Sequence, residues 1–545
     1  MLLLIIMIIL PALKRPFHLI CILILSISFY SCASTPQHVP PSASGSLKRD
    51  LTELLKEDVL RSSHIGIEIK SMDRNEVLFS YNAGQRFIPA SNVKLFTVAA
   101  GLAYLTPDFV YETRLMQHGV VESGVLKGDL IVVGSGDPTI SGYFHDGNPT
   151  KVFEDWAEAL KQSGIRSITG NIVVDNSFFR ATPLGPGWSW DDELFCYSAS
   201  NDAFSFNNNC VAVVVAPGNY AGDPVTVRVE PGSGNLVIVN KAKTGHKEGM
   251  DDISIGKEPC TNTITISGGL PMNHPEYRVM VSVERPACYG GLIFKEILAQ
   301  RGVSLHGRID CGQQGEVSRE VRGTTVAIYR SPGLSEIIKV INKRSSNFAA
   351  EQLFLTIGKM QKGEGSQTAS ATAIKEYMET IGMDTADLSI VDGSGLSRYN
   401  LVTPKGIVVL LDYMARSRYF GVFYDSLAIA GIDGTLKRRM QSPPLRGNLR
   451  GKTGSMNHVR NLSGYMTTGG GERLAFAILI NNFSADPSLI EDIIERICLR
   501  LINRSIVDSE GYKNSSENRS RAQRRHMPSI SPQRSGRSRR EQAEA

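Results

Sequence analysis

The stretch "RFIPASNVKLFT", residues 86–97, sets Ser91 three positions before Lys94, just after a proline and among apolar residues. Pro89 disfavours helix before it, and "NVKLFTVAAGLAYL" (92–105) is largely apolar, so a buried helix is predicted to start here. Residues three apart share a helix face, which lets the Lys94 amine reach the Ser91 hydroxyl. The positive end of the helix dipole and the apolar neighbours both disfavour an ammonium, so Lys94 is expected to be a neutral base near pH 7. A base beside a serine takes its proton and makes it a nucleophile. A lone S-x-x-K reads more readily as a helix cap followed by an unrelated lysine, and further elements are needed to decide.

Two other stretches supply them. "INKRSSNFAAEQLF" (341–354) holds Ser345-Ser346-Asn347 between two apolar helical runs, and "LRGKTGSMNHVRNLSGYM" (449–466) holds Lys452-Thr453-Gly454-Ser455 at the start of an alternating strand. In the order S-x-x-K, S-x-N, K-T-G these resemble the three-part signature of penicillin-binding proteins and serine β-lactamases. A second K-T-G, Lys243-Thr244-Gly245, precedes the S-x-N element in a Gly-rich polar stretch with no good strand after it, and is read as a decoy.

Four more stretches narrow the resemblance: "GSGDPTI" (134–140), "VDNSFF" (174–179), "DGSGLSRYN" (392–400) and "AGIDGTLKRRM" (430–440). The chain is similar to the D-alanyl-D-alanine carboxypeptidase/endopeptidase family, the class C low-molecular-mass penicillin-binding proteins. Lys94 and Ser345 are much further apart than in a β-lactamase, and the resemblance explains this by domains inserted between the first two motifs. It implies an α+β fold: a β-lactamase/transpeptidase-like domain, an antiparallel sheet flanked by helices, split by a large insert of one or two smaller β-rich or mixed domains. The expected organisation is a signal peptide over 1–32, a catalytic domain formed by 44–106 and 318–503, nested insertion over 107–317, and a disordered basic tail over 504–545. Independent patterns agree with parts of this. "HIGIEIKSMDRNEVLFSYN" (64–82) reads as a hairpin, Asp486-Pro487 opens a helix with Ile490, Ile493, Ile494, Ile497 and Leu501 on one face, and "LVIVN" and "VRVE" alternate as strands.

The roles expected from chemistry and from the resemblance together, D-Ala-D-Ala as substrate being what the resemblance implies, are as follows. Ser91 attacks the carbonyl of a D-Ala-D-Ala bond to give an acyl-enzyme and Lys94 takes its proton. Ser345 passes a proton to the leaving amine, Asn347 orients Lys94 and the substrate amide, and Lys452 holds the terminal carboxylate and tunes Ser345. The backbone N–H groups of Ser91 and Ser455 form the oxyanion hole, Thr453 touches the carboxylate, and Gly454 allows close approach. By resemblance, Asp175 and Arg439 bind the ammonium and carboxylate of a diaminopimelate side chain, with Met456 as a pocket neighbour. "DGSGLS" reads as a structural turn with glycines at positive φ.

The remaining features bound compartment and partners. Lys14 and Arg15 precede the apolar run Leu19–Leu25, an export signal too short to span a bilayer comfortably. Ser31-Cys32 followed by Ala33 resembles a lipoprotein processing site, so Cys32 is a candidate lipid attachment point, with simple signal cleavage as the alternative. The expected location is the periplasm or cell envelope. Six cysteines lie beyond Cys32, and their pairing cannot be read from the sequence. Scattered histidines give no metal-ligand spacing, and neither metal nor cofactor is expected. The tail from Arg504 carries 10 Lys+Arg against 5 Asp+Glu, an excess equal to the whole chain's +5, so the body is neutral and no nucleic acid is expected as partner. The expected partners are peptidoglycan stem peptides, with β-lactam antibiotics as covalent inhibitors. The alternatives are a β-lactamase-like hydrolase, which in class A needs an E-x-x-L-N loop that is absent, and a β-lactam-binding protein that does not turn over.

Overall fold

The strands of the 64–82 hairpin, His64–Ser71 and Glu76–Tyr81, form one side of a six-stranded antiparallel sheet in this computed structural model, which describes residues 43–246, 251–312 and 322–503. Next in spatial order come Arg473–Asn481, Val459–Thr467, Arg450–Met456 and the two-residue Ala428–Ile429. The export signal, Cys32 and the basic tail lie outside the described residues.

The period-two rule of a strand explains how this sheet is covered on both faces. Along Arg473–Asn481, Ala475, Ala477 and Leu479 join a helical layer that includes Leu95, Phe96, Leu353, Phe354, Ile407 and Leu411. The small alanines let the Pro404–Arg416 helix lie close to the sheet. Leu474, Phe476, Ile478 and Ile480 face the other way, onto Leu47, Leu51 and Leu54 and onto the terminal helix Pro487–Ile502. That helix opens as its sequence predicts, with the Asp486 carboxylate accepting from the Ser488 N–H at 2.8 Å, and it buries Ile490, Ile493, Ile494, Ile497 and Leu501. Each such side chain contributes about 1.5–3 kcal/mol on full burial. The expected α+β arrangement of antiparallel sheet and flanking helices is the one found.

Between Leu105 and Leu334 the chain builds a second core. Its largest sheet starts from the hairpin Glu112–Glu122 and Val125–Val133 and is backed by the helices Lys151–Gln162 and Pro286–Gln300. Phe153 stacks on Phe206 with ring centroids 4.8 Å apart, and Trp156 meets Phe294 edge-on at 5.5 Å. "VRVE" and "LVIVN" do form strands, Thr226–Glu230 and Val237–Asn240, in two small three-stranded sheets. One boundary differs from the sequence-based expectation. Thr324–Arg330 pairs antiparallel with Glu112–Gln117, so it belongs to the insert sheet, and the catalytic helices resume only with Leu334–Lys343. An alternating strand suits either sheet, and its partner lies some two hundred residues back, beyond the reach of local pattern. Disulfides join Cys196 to Cys210 and Cys288 to Cys311, while Cys260 is exposed and Cys498 buried as thiols.

Candidate active site

Ser91 sits in a 3₁₀ turn, Ala90–Asn92, that runs directly into the Val93–Leu105 helix. The turn is fastened to the two central strands by amide side chains. Asn461 Nδ2 donates to the carbonyls of Ile88 (3.0 Å) and Pro89 (2.9 Å), Asn481 Oδ1 accepts from the Ile88 N–H (2.8 Å), and Asn92 Nδ2 donates to Ser463 Oγ (3.0 Å). Ala90, the residue before the serine, is held at φ +45°, a left-handed conformation that costs a non-glycine residue free energy and persists only under such restraint.

Lys94 is fully buried, and its Nζ lies 2.9 Å from Ser91 Oγ, 2.7 Å from Asn347 Oδ1 and 2.6 Å from the Ser394 carbonyl. Burial pushes its pKa down to about 7, against the opposing pull of Asp392 and Glu351. The three contacts define what a neutral amine does here. Asn347 presents its oxygen, because its Nδ2 donates to the Tyr197 carbonyl at 2.8 Å, and the Ser394 carbonyl can only accept. Those two acceptors use both N–H bonds of a neutral amine. Its lone pair is left for Ser91, whose hydroxyl must then be the donor.

The S-x-N element, which reaches Lys94 through Asn347, meets the K-T-G element through Ser345. Ser345 has φ +58° and its Oγ accepts from Lys452 Nζ at 2.9 Å; Lys452 also donates to the Thr453 carbonyl at 2.8 Å. Burial, reinforced by nearby Lys94, holds Lys452 well below the ordinary lysine value. Thr453 Oγ1 donates to Thr435 Oγ1 at 2.9 Å. A Cβ on Gly454 would stand 2.5 Å from the Pro89 carbonyl, so only glycine lets this strand press against the turn carrying Ser91. Ser455 follows it, exposed, and Met456 ends the strand half-buried. Ala428–Ile429 pairs only with Gly451 and Arg450, which leaves the outer edge of Lys452–Met456 without a strand partner among the described residues.

The "DGSGLSRYN" loop does more than turn. Gly395 has φ +83°, and a Cβ there would lie 1.9 Å from the Ala90 carbonyl, so the loop closes directly over the turn carrying Ser91. Asp392 gathers it, accepting from the N–H groups of Gly395 (2.8 Å) and Ser397 (2.7 Å), from Asn400 Nδ2 (2.7 Å) and from Trp188 Nε1 (3.0 Å). Glu351 is buried beneath, and its Oε1 accepts from the Ser394 N–H at 2.7 Å. Burial and the charge of Asp392 raise its pKa well above the carboxylate range. Glu351, Ser394 and Asp392 are the residues that motif reading missed. Glu351 carried a signal: a carboxylate four residues after Asn347, on the same helix face, inside an apolar run. The insert also reaches the site through Trp188 and Tyr197, the latter next to the Cys196–Cys210 bridge.

Two expected specificity residues are not brought together. Asp175 accepts from the Ser177 N–H at 3.0 Å and lines a cleft with Lys359 and Lys362. Those lysines end the helix that Asn347 begins, about 20 Å away at 1.5 Å per residue. Arg439 lies on the far side of the sheet, largely buried, 3.4 Å from Glu491 and close to Cys498. The reason is local: of two adjacent arginines Arg438 points to solvent and Arg439 under the sheet, which composition does not distinguish. The second K-T-G forms a three-residue strand of the insert, paired parallel with Gly269–Pro271, with Lys243 exposed.

Comparison with known proteins gives a consistent result. Residues 47–501 match the D-Ala-D-Ala carboxypeptidase 3 (S13) family. The chain is similar to a D-alanyl-D-alanine carboxypeptidase of Actinomadura sp. (strain R39), 32% identical over 460 residues that cover 82% of this chain and 83% of that protein. It is 29% identical over 442 residues to the D-alanyl-D-alanine carboxypeptidase DacB of Haemophilus influenzae, covering 80% and 88%. Among solved structures, penicillin binding protein 4 (dacB) from Haemophilus influenzae superposes with a TM-score of 0.73 at 27% identity, covering 83% of this chain and 99% of that one. The same protein complexed with a β-lactam superposes with a TM-score of 0.70.

Proposed function

The chain belongs to the D-Ala-D-Ala carboxypeptidase 3 (S13) family, and from that premise we propose how its own residues carry out the reaction. It is a serine-type D-Ala-D-Ala carboxypeptidase of the penicillin-binding class, acting on cell-wall peptides. The observation that carries the assignment of roles is the set of contacts at Lys94, which in its neutral form has only a lone pair to offer Ser91. Ser91 Oγ attacks the carbonyl carbon of the terminal D-Ala-D-Ala bond as its proton passes to Lys94. The oxygen gains negative charge opposite the N–H groups of Ser91 and Ser455. As the C–N bond breaks, Ser345 gives its proton to the leaving amine and is reprotonated from Lys452. Once the amine has left, Lys94 loses the proton it took and Lys452 regains one, which resets both amines. Water then attacks the Ser91 ester as its proton passes to Lys94, and Lys94 hands that proton to Ser91 Oγ as the ester C–O bond breaks, restoring the hydroxyl.

The free edge of Lys452–Met456 supports a substrate that lies alongside as an added strand, its terminal carboxylate against Lys452 and Thr453. The same site suits cleavage of crosslinks, the endopeptidase reaction, where the leaving amine belongs to a second stem peptide. A cell-wall enzyme acts outside the cytoplasm, which supports the export reading of the N-terminal segment, and Cys32 remains the candidate attachment point for a lipid. Mass spectrometry of peptidoglycan fragments incubated with the protein tests the reading. Loss of one alanine reports carboxypeptidase action and scission of a crosslinked dimer reports endopeptidase action. Ser91→Ala must abolish both, together with covalent labelling by a fluorescent penicillin, and labelling that survives would sink the assignment.

A further inference from the structure

Beside Ser345 in the chain stands an exposed cation whose side chain makes no hydrogen bond or ion pair among the described residues. Arg344 directly precedes Ser345, caps the Leu334–Lys343 helix and is exposed. Its guanidinium carbon stands 4.0 Å over the ring of Tyr143, a residue of the insert that is itself 49% exposed and braced edge-on by Phe144 at 4.9 Å. A cation over an aromatic face is fixed in place while its in-plane N–H donors stay free. Among the described residues Arg344 has no acidic partner and its side chain donates no hydrogen bond. Its neighbour Lys343 differs, since its ammonium is already paired with Asp433.

The position of this pair relative to the chemistry gives it a meaning. On the proposed reading Ser345 protonates the departing amine and Lys452 and Thr453 receive the carboxylate beside it, and Arg344 is carried on the same turn as Ser345, the residue that meets the leaving group. For a terminal D-alanine that group ends there. For a crosslink it continues as a second stem peptide, an extended chain with further carboxylates. We propose that Arg344, stacked on Tyr143, is a binding subsite for a carboxylate of the leaving stem peptide, and so a determinant of crosslink cleavage over simple trimming. Guanidinium and carboxylate match as a planar, bidentate pair, and the tyrosine face offers the peptide an apolar wall. The proposal rests on the reading of Ser91 as a D-Ala-D-Ala peptidase nucleophile and deepens it.

The test compares three reagents on wild type, Arg344→Ala, Arg344→Glu and Tyr143→Ala: a crosslinked muropeptide dimer, an uncrosslinked pentapeptide and a fluorescent penicillin. Arg344→Ala is expected to lower kcat/KM on the dimer about fivefold, the upper scale of one charge-assisted contact at an exposed site, and Arg344→Glu to lower it further. Pentapeptide trimming and penicillin acylation should stay within about twofold of wild type, because they do not reach past Ser345. Unchanged dimer scission overturns the proposal, and so do equal losses on all three reagents, which would report damage to the Ser345 turn. A wild-type protein that trims pentapeptide but never cuts the dimer also overturns it while leaving the carboxypeptidase reading in place. Inactivity of wild type on every reagent would instead overturn that reading. A binding measurement keeps the two separate: affinity of the Ser91→Ala protein for an uncrosslinked tetrapeptide offered as leaving stem should fall by the same factor with Arg344→Ala, and no fall rejects the subsite.

Discussion

Lowering the pH from 8 to 6 should slow acylation of Ser91 about tenfold, and the size of the effect follows from the burial of one amine. An ordinary lysine near 10.4 is neutral in roughly one molecule in two thousand at pH 7, far too few for a base. Burial brings Lys94 to about 7, so about half the molecules are competent at pH 7, about nine tenths at pH 8 and about one tenth at pH 6. The acidic neighbours Asp392 and Glu351 act against this, and without them the midpoint would fall lower still. The assay is the second-order rate constant for labelling by a fluorescent penicillin, followed by rapid quench across pH 5.5–9, since labelling reports acylation without hydrolysis of the ester. A rate that is flat from pH 6 to 8 would refute the reasoning. So would a rate still climbing tenfold per pH unit at pH 9, because the amine would then be titrating as an ordinary lysine.

Other expectations use different parts of the structure. Lys452→Ala should reduce turnover by roughly a hundredfold or more, as loss of a buried charge-assisted contact does, while Lys243→Ala should leave it unchanged; the opposite pattern in a steady-state assay would identify the wrong K-T-G. Gly395→Ala places a Cβ 1.9 Å from the Ala90 carbonyl at φ +83°, and a displacement of about 1 Å in the nucleophile turn is expected to cost roughly a hundredfold in penicillin acylation; labelling at the wild-type rate would show that the loop does not position Ser91. Glu351→Gln should raise Tm at pH 8 and change it little at pH 4, measured by calorimetry. The folded-state pKa of Glu351 lies above its unfolded value, so its contribution is present below about 4.3 and is lost as pH rises through the folded value. An equal gain at both pH values would contradict the raised pKa.

What was legible in the sequence was chemistry of fixed type at short spacing. Ser91 and Lys94, Ser345 and Asn347, and Lys452 through Ser455 are each a few residues apart, and each fixes its own local geometry. Amphipathic patterns such as Ile490–Leu501 were legible for the same reason. The unseen parts were of two kinds. The Ser394 carbonyl, which fixes the direction of the Lys94 lone pair, is a backbone atom present in every residue and has no sequence signature. The faces of Asp175 and Arg439 depend on which elements pack together, and the pairing of Thr324–Arg330 with Glu112–Gln117 depends on chain segments far apart in sequence. Residue type suggested an ammonium-binding carboxylate and a carboxylate-binding guanidinium. Packing instead gave Arg439 to Glu491 and left Asp175 at the far end of the Asn347–Lys362 helix.

The two buried lysines in the proposed reaction work as one electrostatic unit. Both are held down by burial, and Lys94 lowers Lys452 further because two ammonium groups so near each other repel. An arriving carboxylate reverses the balance at Lys452 alone: the counter-charge favours an ammonium there, while Lys94, facing the neutral Asn347 oxygen and Ser394 carbonyl, stays available as base. When Ser91 gives its proton to Lys94, positive charge appears beside the Lys452 ammonium and again disfavours it. The route off Lys452 runs through its 2.9 Å contact with Ser345 to the amine that must leave. A proton gained at Lys94 thus promotes the release of one at Lys452, which couples attack on the carbonyl to departure of the amine. The coupling needs both amines fully buried, because at a solvated surface the repulsion would be screened to a fraction of its strength. This is a physical reason for the site to bury Lys94 and Lys452 completely and to satisfy each with acceptors that carry no charge.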